Sequence, residues 1–478
     1  MANFRKTFLS GVFYTSIAKY IGIILQIIIS AILARLLQPD DFGIVAIATV
    51  VIGFISLLTD FGMAPAIVQN DDLDTKDINS LFSFTVYIGF LASFILFISA
   101  NTISQIYDDE RLCPIIRLLS LNVFFATINI VPNSLLLKNK KFKVIAIRTL
   151  LIQSIGGALA IGAALFGCGV YSLVINSIFA SLGIFVFNYN QNRISLCFRI
   201  EISPIMKIFK FSLTQFIAQI VTYINGTIDK LLVGKLLGMS DLGYYEKSYR
   251  LMRMPVSNLT YVFTPVMQPL FKAYKNDLVE MEHKYSKLFR TIAIIGFPLS
   301  CYLYFSASDL ICLFFGERWL PAVRPFQLFS ISAGLSMLLS STGPLYQTTN
   351  SLKSQISSTF GETAIGLGCL FLGLKLGGVN NVALCVSIGI LLRFIYSFVI
   401  IYHFVFRMHI LNIFRYMIHA FIGVLVLFMI MQYTQQISDE KFSLLRLVLN
   451  TISFVIVVFL MMYAGGILNL KFLNKFRK

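Results

Sequence analysis

Four ionisable side chains within eight residues, Glu246, Lys247, Arg250 and Arg253, form the densest chemical feature of an otherwise strongly apolar chain. Read as a helix, the spacing i, i+4, i+7 places Glu246, Arg250 and Arg253 on one face, spread over about 10 Å at the α-helical rise. Buried in a membrane, each such charge costs about 2.5–3.5 kcal/mol on insertion scales, which makes intramembrane charges functional candidates by default. The preceding segment adds Gln215, Gln219, Tyr223, Asn225, Thr227, Asp229 and Lys230. Such a polar load predicts two helices that line a water-filled cavity, with Tyr244, Tyr245 and Tyr249 beside the charges and Lys19 facing them from the first span. A plainer arrangement uses the same residues: Glu246–Arg250 as an i, i+4 ion pair, with Lys247 reaching its ammonium to the interface.

The other charges carry weaker signals. Asp229, Glu362 and Asp60 are candidate ion-coupling carboxylates, because a carboxyl group desolvated inside the membrane is what proton coupling requires. Each also has a structural role open to it. Asp229 is adjacent to Lys230, about 100° away on a helix. Glu362 has Arg393 as a candidate partner. Asp60, just before Gly62 and Pro65, suits the cap of a broken helix. In PDDFG (39–43) and SDLG (240–243), Asp41 and Asp241 sit where a side chain starts the next helix, and Gly43 and Gly243 permit close packing. We read these as structural turns.

The elements behind these residues follow from composition. Of 478 residues, 57% are hydrophobic and 13% are charged, with mean hydropathy +0.80. Soluble domains carry about 25% charged residues. A span needs about 20 apolar residues. Fourteen candidates fit, centred near 23, 55, 90, 126, 155, 178, 221, 256, 298, 336, 365, 390, 423 and 455. The expected fold is an all-α polytopic membrane protein of about 14 transmembrane helices. Lys19 interrupts the first apolar run, so that run reads as a retained helix. With the N-terminus placed inside, 24 of the 39 Lys and Arg fall in inner loops, among them KNKKFK (138–143) and Arg148, and nine in outer ones. This positive-inside bias places both termini in the cytoplasm and accounts for the net charge of +17 without a nucleic-acid partner. Seven scattered cysteines and four histidines without ligand spacing point to free thiols, no metal site and no cofactor.

The chain repeats itself. Residues 16–43 align without gaps on 216–243 with eight identities, among them Leu36/Leu236, Leu37/Leu237, Asp41/Asp241 and Gly43/Gly243. Pro65 meets Pro265 at the same offset of 200. Seven residues later in register, IGF at 88–90 meets IGF at 295–297, Pro114 meets Pro321 and Arg117 meets Arg324. Six spans per copy give two parallel repeats, an arrangement that places a substrate site between halves. The expected organisation is an N-terminal half over 1–200, a C-terminal half over 201–403, and an appended helix pair with a basic tail over 404–478. Pro65, Pro255, Pro265, Pro269 and Pro298 are candidate bends.

ARLLQPDDFG (34–43), DFGMAPAIVQ (60–69) and GKLLGMSDLGYY (234–245) resemble the polysaccharide flippases of the multidrug/oligosaccharidyl-lipid/polysaccharide exporter superfamily, over roughly residues 5–403. The resemblance implies a bacterial inner-membrane transporter that moves undecaprenyl-pyrophosphate-linked oligosaccharide repeat units by alternating access, for cell-surface polysaccharides such as O-antigen, capsule or exopolysaccharide. It also implies H+ or Na+ as coupling ion and association with polymerase machinery. Guanidinium groups suit a pyrophosphate, and the amides, hydroxyls and tyrosines suit sugars. The expected substrate contacts are therefore Lys19, Arg250, Arg253, Glu246, Lys247, Gln219, Tyr223 and Tyr249. A cation-coupled drug exporter would favour acidic residues, whereas the 246–253 segment is net positive. A membrane polysaccharide polymerase would need a large outer loop, and every outer loop here is short. The chain does not read as an enzyme.

Overall fold

The computed structural model describes residues 2–466 apart from 193, 198–200, 202, 276, 350, 410 and 437–441. The basic C-terminal tail lies outside the described residues. Among those described, every regular element is a helix, and ten helical segments are long and apolar enough to cross a membrane. The chain divides into two compact units, Met1–Gly243 and Tyr244–Lys478.

The first unit contains α1 (Ala2–Leu36), α2 (Pro39–Asp60), α3 (Met63–Gln69), α4 (Thr75–Tyr107), α5 (Leu112–Ile128), α6 (Ile130–Lys138), α7 (Phe142–Leu165), α8 (Tyr171–Asn190) and α9 (Ser203–Leu237). Helix α1 packs on α7, where Gly157 receives Ile29, while α4 packs on α5, and α9 lies along α2, α3 and α4. The α2–α3 break falls at Phe61 and Gly62, both in the left-handed region (φ 44° and 71°), three residues before Pro65. Gly62 presses on the Ser212 carbonyl, so neither its φ nor its surroundings tolerate a Cβ. A second break, at Asn129, separates α5 from α6. Pro132 lacks the N–H that would bond the Ile128 carbonyl, and in lipid such freed backbone groups need side-chain partners.

At residue 239 begins α10 (Met239–Lys272), whose body lies in the second unit with α11 (Leu278–Phe305), α12 (Ala307–Phe314), α13 (Val323–Ile331), α14 (Ala333–Leu339), α15 (Thr342–Thr348), α16 (Leu352–Leu376), α17 (Val379–Ile400), α18 (Leu411–Gln435) and α19 (Leu444–Ala464). Helix α11 is central, touching α13, α14, α18 and α19. It crosses α14 at Gly296 and Gly334, where backbones meet because neither residue has a side chain. The Gly334 N–H, freed by the break at Ser332, donates to Ser300 Oγ at 2.9 Å. Helices α10 and α11 run unbroken through Pro255, Pro265, Pro269 and Pro298. Separate breaks fall at Gly62, three residues before Pro65, and at Asn129, Ser332 and Ser340–Ser341.

Helix α19 is fixed to α12 by a buried ion pair. Arg446 donates from Nε and Nη2 to the two oxygens of Asp309, both at 2.7 Å, and the Ser443 N–H adds a bond of 2.9 Å. Asp309 and Arg446 are 0% and 5% exposed. One turn further on, Asn450 accepts from Thr434 of α18 and donates towards Ser306. None of the seven cysteines, all among the described residues, is in a disulfide.

Candidate functional site

Helix α10 presents two unlike faces. Tyr245, Ser248, Met252 and Val256 are buried. Tyr245 and Tyr249 stack (6.2 Å, 11°), both meet Phe329 of α13 edge-on, and Ser248 donates to the Ala322 carbonyl at 2.8 Å. These contacts fix the helix rotation, which leaves Arg250 and Arg253 exposed and Glu246 half-buried beside them. The guanidinium carbon of Arg253 lies 5.9 Å from the Tyr249 ring centroid. The expected one-sided grouping of Glu246, Arg250 and Arg253 is thus present on α10, with the Tyr249 ring beside Arg253. Two forked donors beside an aromatic face can bind a phosphoryl group and the apolar face of a sugar.

Lys247 lies elsewhere. It is 5% exposed, with its ammonium 5.3 Å from the Phe315 ring and 6.0 Å from the Trp319 ring. It points into an aromatic wall.

In the first unit, Lys19 and Gln219 are half-buried on α1 and α9. Tyr223 donates its hydroxyl to the Val50 carbonyl at 2.5 Å, over Gly53, with Phe54 against its ring. Its hydroxyl therefore locks α9 to α2. Asp60 accepts from the Ala64 N–H at 3.2 Å and caps α3. Asp229 is half-buried on α9, with its Oδ1 enclosed. Asp41 accepts from the Gln38 N–H at 3.0 Å, closing the first turn of α2 as its position in PDDFG suggests. Gly43 and Gly243 face backbone reciprocally. A Cβ on Gly43 would stand 1.9 Å from the Met239 carbonyl oxygen, and one on Gly243 would stand 2.2 Å from that of Pro39. Residues 39 and 239 are equivalent in the repeat, as are 43 and 243, so one contact is made twice. Asp241, half-buried, sits in the first turn of α10.

Glu362 does not pair with Arg393. It accepts from Ser358 Oγ at 2.8 Å and from Ser397 Oγ, while Arg393 lies against Gly366. Five buried charged residues, Asp77, Arg148, Glu282, Asp309 and Arg446, fall outside the candidate residues singled out in the sequence. Glu282 accepts from Tyr402 at 3.0 Å. Asp309 meets Arg446. Arg148, counted above as a loop cation, is 6% exposed. An acidic residue with no charge of opposite sign nearby in sequence, such as Asp309, was the available signal; nothing near Arg148 marks it.

An all-helical, polytopic chain with a cationic face on one of its two least apolar helices has the architecture of a membrane transporter. The solved structure of the lipid II flippase MurJ in an inward closed conformation shares that fold, with a TM-score of 0.72 over 95% of this chain and 99% of that chain, at 16% identity. The family model described as "Polysaccharide biosynthesis protein" matches residues 32–324, and the chain belongs to that family. Among its relatives, the teichuronic acid biosynthesis protein TuaB of Bacillus subtilis (strain 168) is 24% identical over 72% of this chain and 71% of its own length. The lipopolysaccharide biosynthesis protein WzxC of Escherichia coli (strain K12) is 23% identical over 82% of this chain and 79% of its own.

Proposed function

We propose that this chain is a flippase that carries undecaprenyl-pyrophosphate-linked oligosaccharide repeat units across the bacterial inner membrane by alternating access, for cell-surface polysaccharide synthesis. The observation that carries the reading is the exposed Arg250/Arg253 face of α10, beside Tyr249, in a member of a polysaccharide biosynthesis family. Arg250 and Arg253 bind the pyrophosphate, and Gln219 and Lys19 supply further polar contacts to the cargo. The net positive face favours an anionic cargo over a cationic drug.

Fourteen spans are part of the proposal. Ten helical segments qualify by length and composition, and the bent pair from Glu317 to Thr348 supplies one more. Helices α9 and α10, of 35 and 34 residues, and α18, of 25, supply the rest. Helices α2 and α10 begin 200 residues apart, at Pro39 and Met239, which supports two parallel repeats. The positive-inside count supports cytoplasmic termini. Of the candidate coupling carboxylates, Asp60 is occupied as a helix cap, which leaves Asp229 and Glu362 for H+ or Na+.

Deleting the gene in its host should make the lipid-linked precursor accumulate, with its sugar still on the cytoplasmic leaflet. Normal surface polysaccharide in the deletion strain would remove the proposed role.

A further inference from the structure

The sequence between residues 111 and 200 contains nine Lys and Arg and no Asp or Glu. Within it, α5 to α8 bury one guanidinium, that of Arg148. Nη1 makes all the described hydrogen bonds, to Asn188 Oδ1 at 2.6 Å and Asn133 Oδ1 at 3.1 Å. Asn188 also donates to Asn129 Oδ1 at 2.7 Å, and Asn192 to the Pro132 carbonyl at 3.2 Å. The asparagines thus tie α8 to the break between α5 and α6. Carboxamides orient a guanidinium but leave its charge uncompensated. Helix α1, which packs on α7, contains no acidic residue, and Asp77 at the start of α4 is paired with Lys207 at 2.7 Å.

The opposite edge of the guanidinium is unused. Nε is buried and has no hydrogen-bond partner, and Nη2 makes no described hydrogen bond. Nε and Nη2 form the side-on fork that grips a carboxylate or phosphate with two parallel bonds. A purely structural tie would use Nη1 alone, a task an amide side chain performs without burying a charge. Arg148 is six residues inside α7, about 9 Å from its end, within reach of that end for a long side chain. Lys138, Lys140, Lys141 and Lys143 flank that end and attract anionic headgroups.

We propose that the Nε/Nη2 edge of Arg148, in its cage of Asn129, Asn133 and Asn188, is a binding site for a phosphate oxyanion of a membrane lipid. The site is separate from the α10 face and does not depend on the flippase reading. Phospholipid, prenyl pyrophosphate and free phosphate offer the same chemistry, so the test uses all three.

Purified full-length protein is titrated with inorganic phosphate, dioctanoyl phosphatidylglycerol and farnesyl pyrophosphate, with dioctanoylglycerol as the phosphate-free control. Binding is read by thermal shift and by native mass spectrometry. At least one phosphate-bearing probe should bind, the control should not, and Arg148→Gln should weaken binding at least tenfold. The probe that binds identifies the source. Asn133→Asp places a carboxylate beside the guanidinium and should raise the melting temperature while abolishing phosphate binding, an outcome readable even if Arg148→Gln does not fold. Equal binding by wild type and Asn133→Asp, or no binding of any probe to wild type, overturns the site.

Discussion

Alanine at Gly43 or Gly243 tests the reciprocal contact between the first turns of α2 and α10. Real Cβ atoms essentially never approach a heavy atom within 3.0 Å, yet the added methyl would stand 1.9 Å from the Met239 oxygen or 2.2 Å from the Pro39 oxygen. Both obstacles are backbone, so no rotamer change relieves them and the turns must separate. Overpacking of this kind costs about 1–3 kcal/mol. Gly226 on α9 has no heavy atom within 4 Å of its would-be Cβ, and alanine there should gain up to about 1 kcal/mol of helix propensity. The two classes of variant should therefore differ by about 2–4 kcal/mol. Because Gly43 and Gly243 share one seam, the double variant should lose less than the sum of the singles, with a coupling of at least about 0.5 kcal/mol. Unfolding by SDS in mixed micelles, followed by circular dichroism, measures the four variants beside wild type. Gly43→Ala and Gly243→Ala unfolding together with wild type would refute the backbone contact, and strict additivity would refute the shared seam.

Other substitutions isolate single contacts. Asp309→Asn strands the buried Arg446 charge and should destabilise the chain by about 3–5 kcal/mol, with the loss largely reversed when Arg446 is also replaced by Gln; the same unfolding titration reads both. Tyr223→Phe removes a hydrogen bond between α9 and α2 and should cost about 0.5–1.5 kcal/mol with cargo affinity unchanged. Unchanged stability with weakened cargo binding would instead make Tyr223 a sugar contact. Glu362→Gln keeps the acceptor for Ser358 and Ser397 and should fold like wild type; if Glu362 couples protons, transport by this variant should lose its dependence on a pH gradient.

Much of this architecture is written in local patterns. Apolar run lengths locate the spans, and Pro39, Asp41 and Gly43 mark a helix start that the repeat places again at 239–243. Rotation of α10 is legible because Tyr245, Ser248, Met252 and Val256 recur on one face while Glu246, Arg250 and Arg253 recur on another. The fate of Lys247 was not legible, since its aromatic wall comes from Phe315 and Trp319, some seventy residues away. The break at Gly62 was legible only in part: Pro65 marks the region, but the helix ends three residues earlier, where Gly62 takes a positive φ. Arg148 looked like one more basic loop residue because burial by asparagines from two other helices leaves no periodic trace.

Leaflet exchange of a fluorescent lipid-linked oligosaccharide in liposomes containing the purified protein, compared with Arg250→Ala/Arg253→Ala, tests cargo and site together. Wild type should flip the lipid, and the double variant should fold but lose that activity. Flipping that persists unchanged in the variant would remove the α10 face as the binding site, and no flipping by wild type, with export of a cationic dye instead, would contradict the assignment of the cargo.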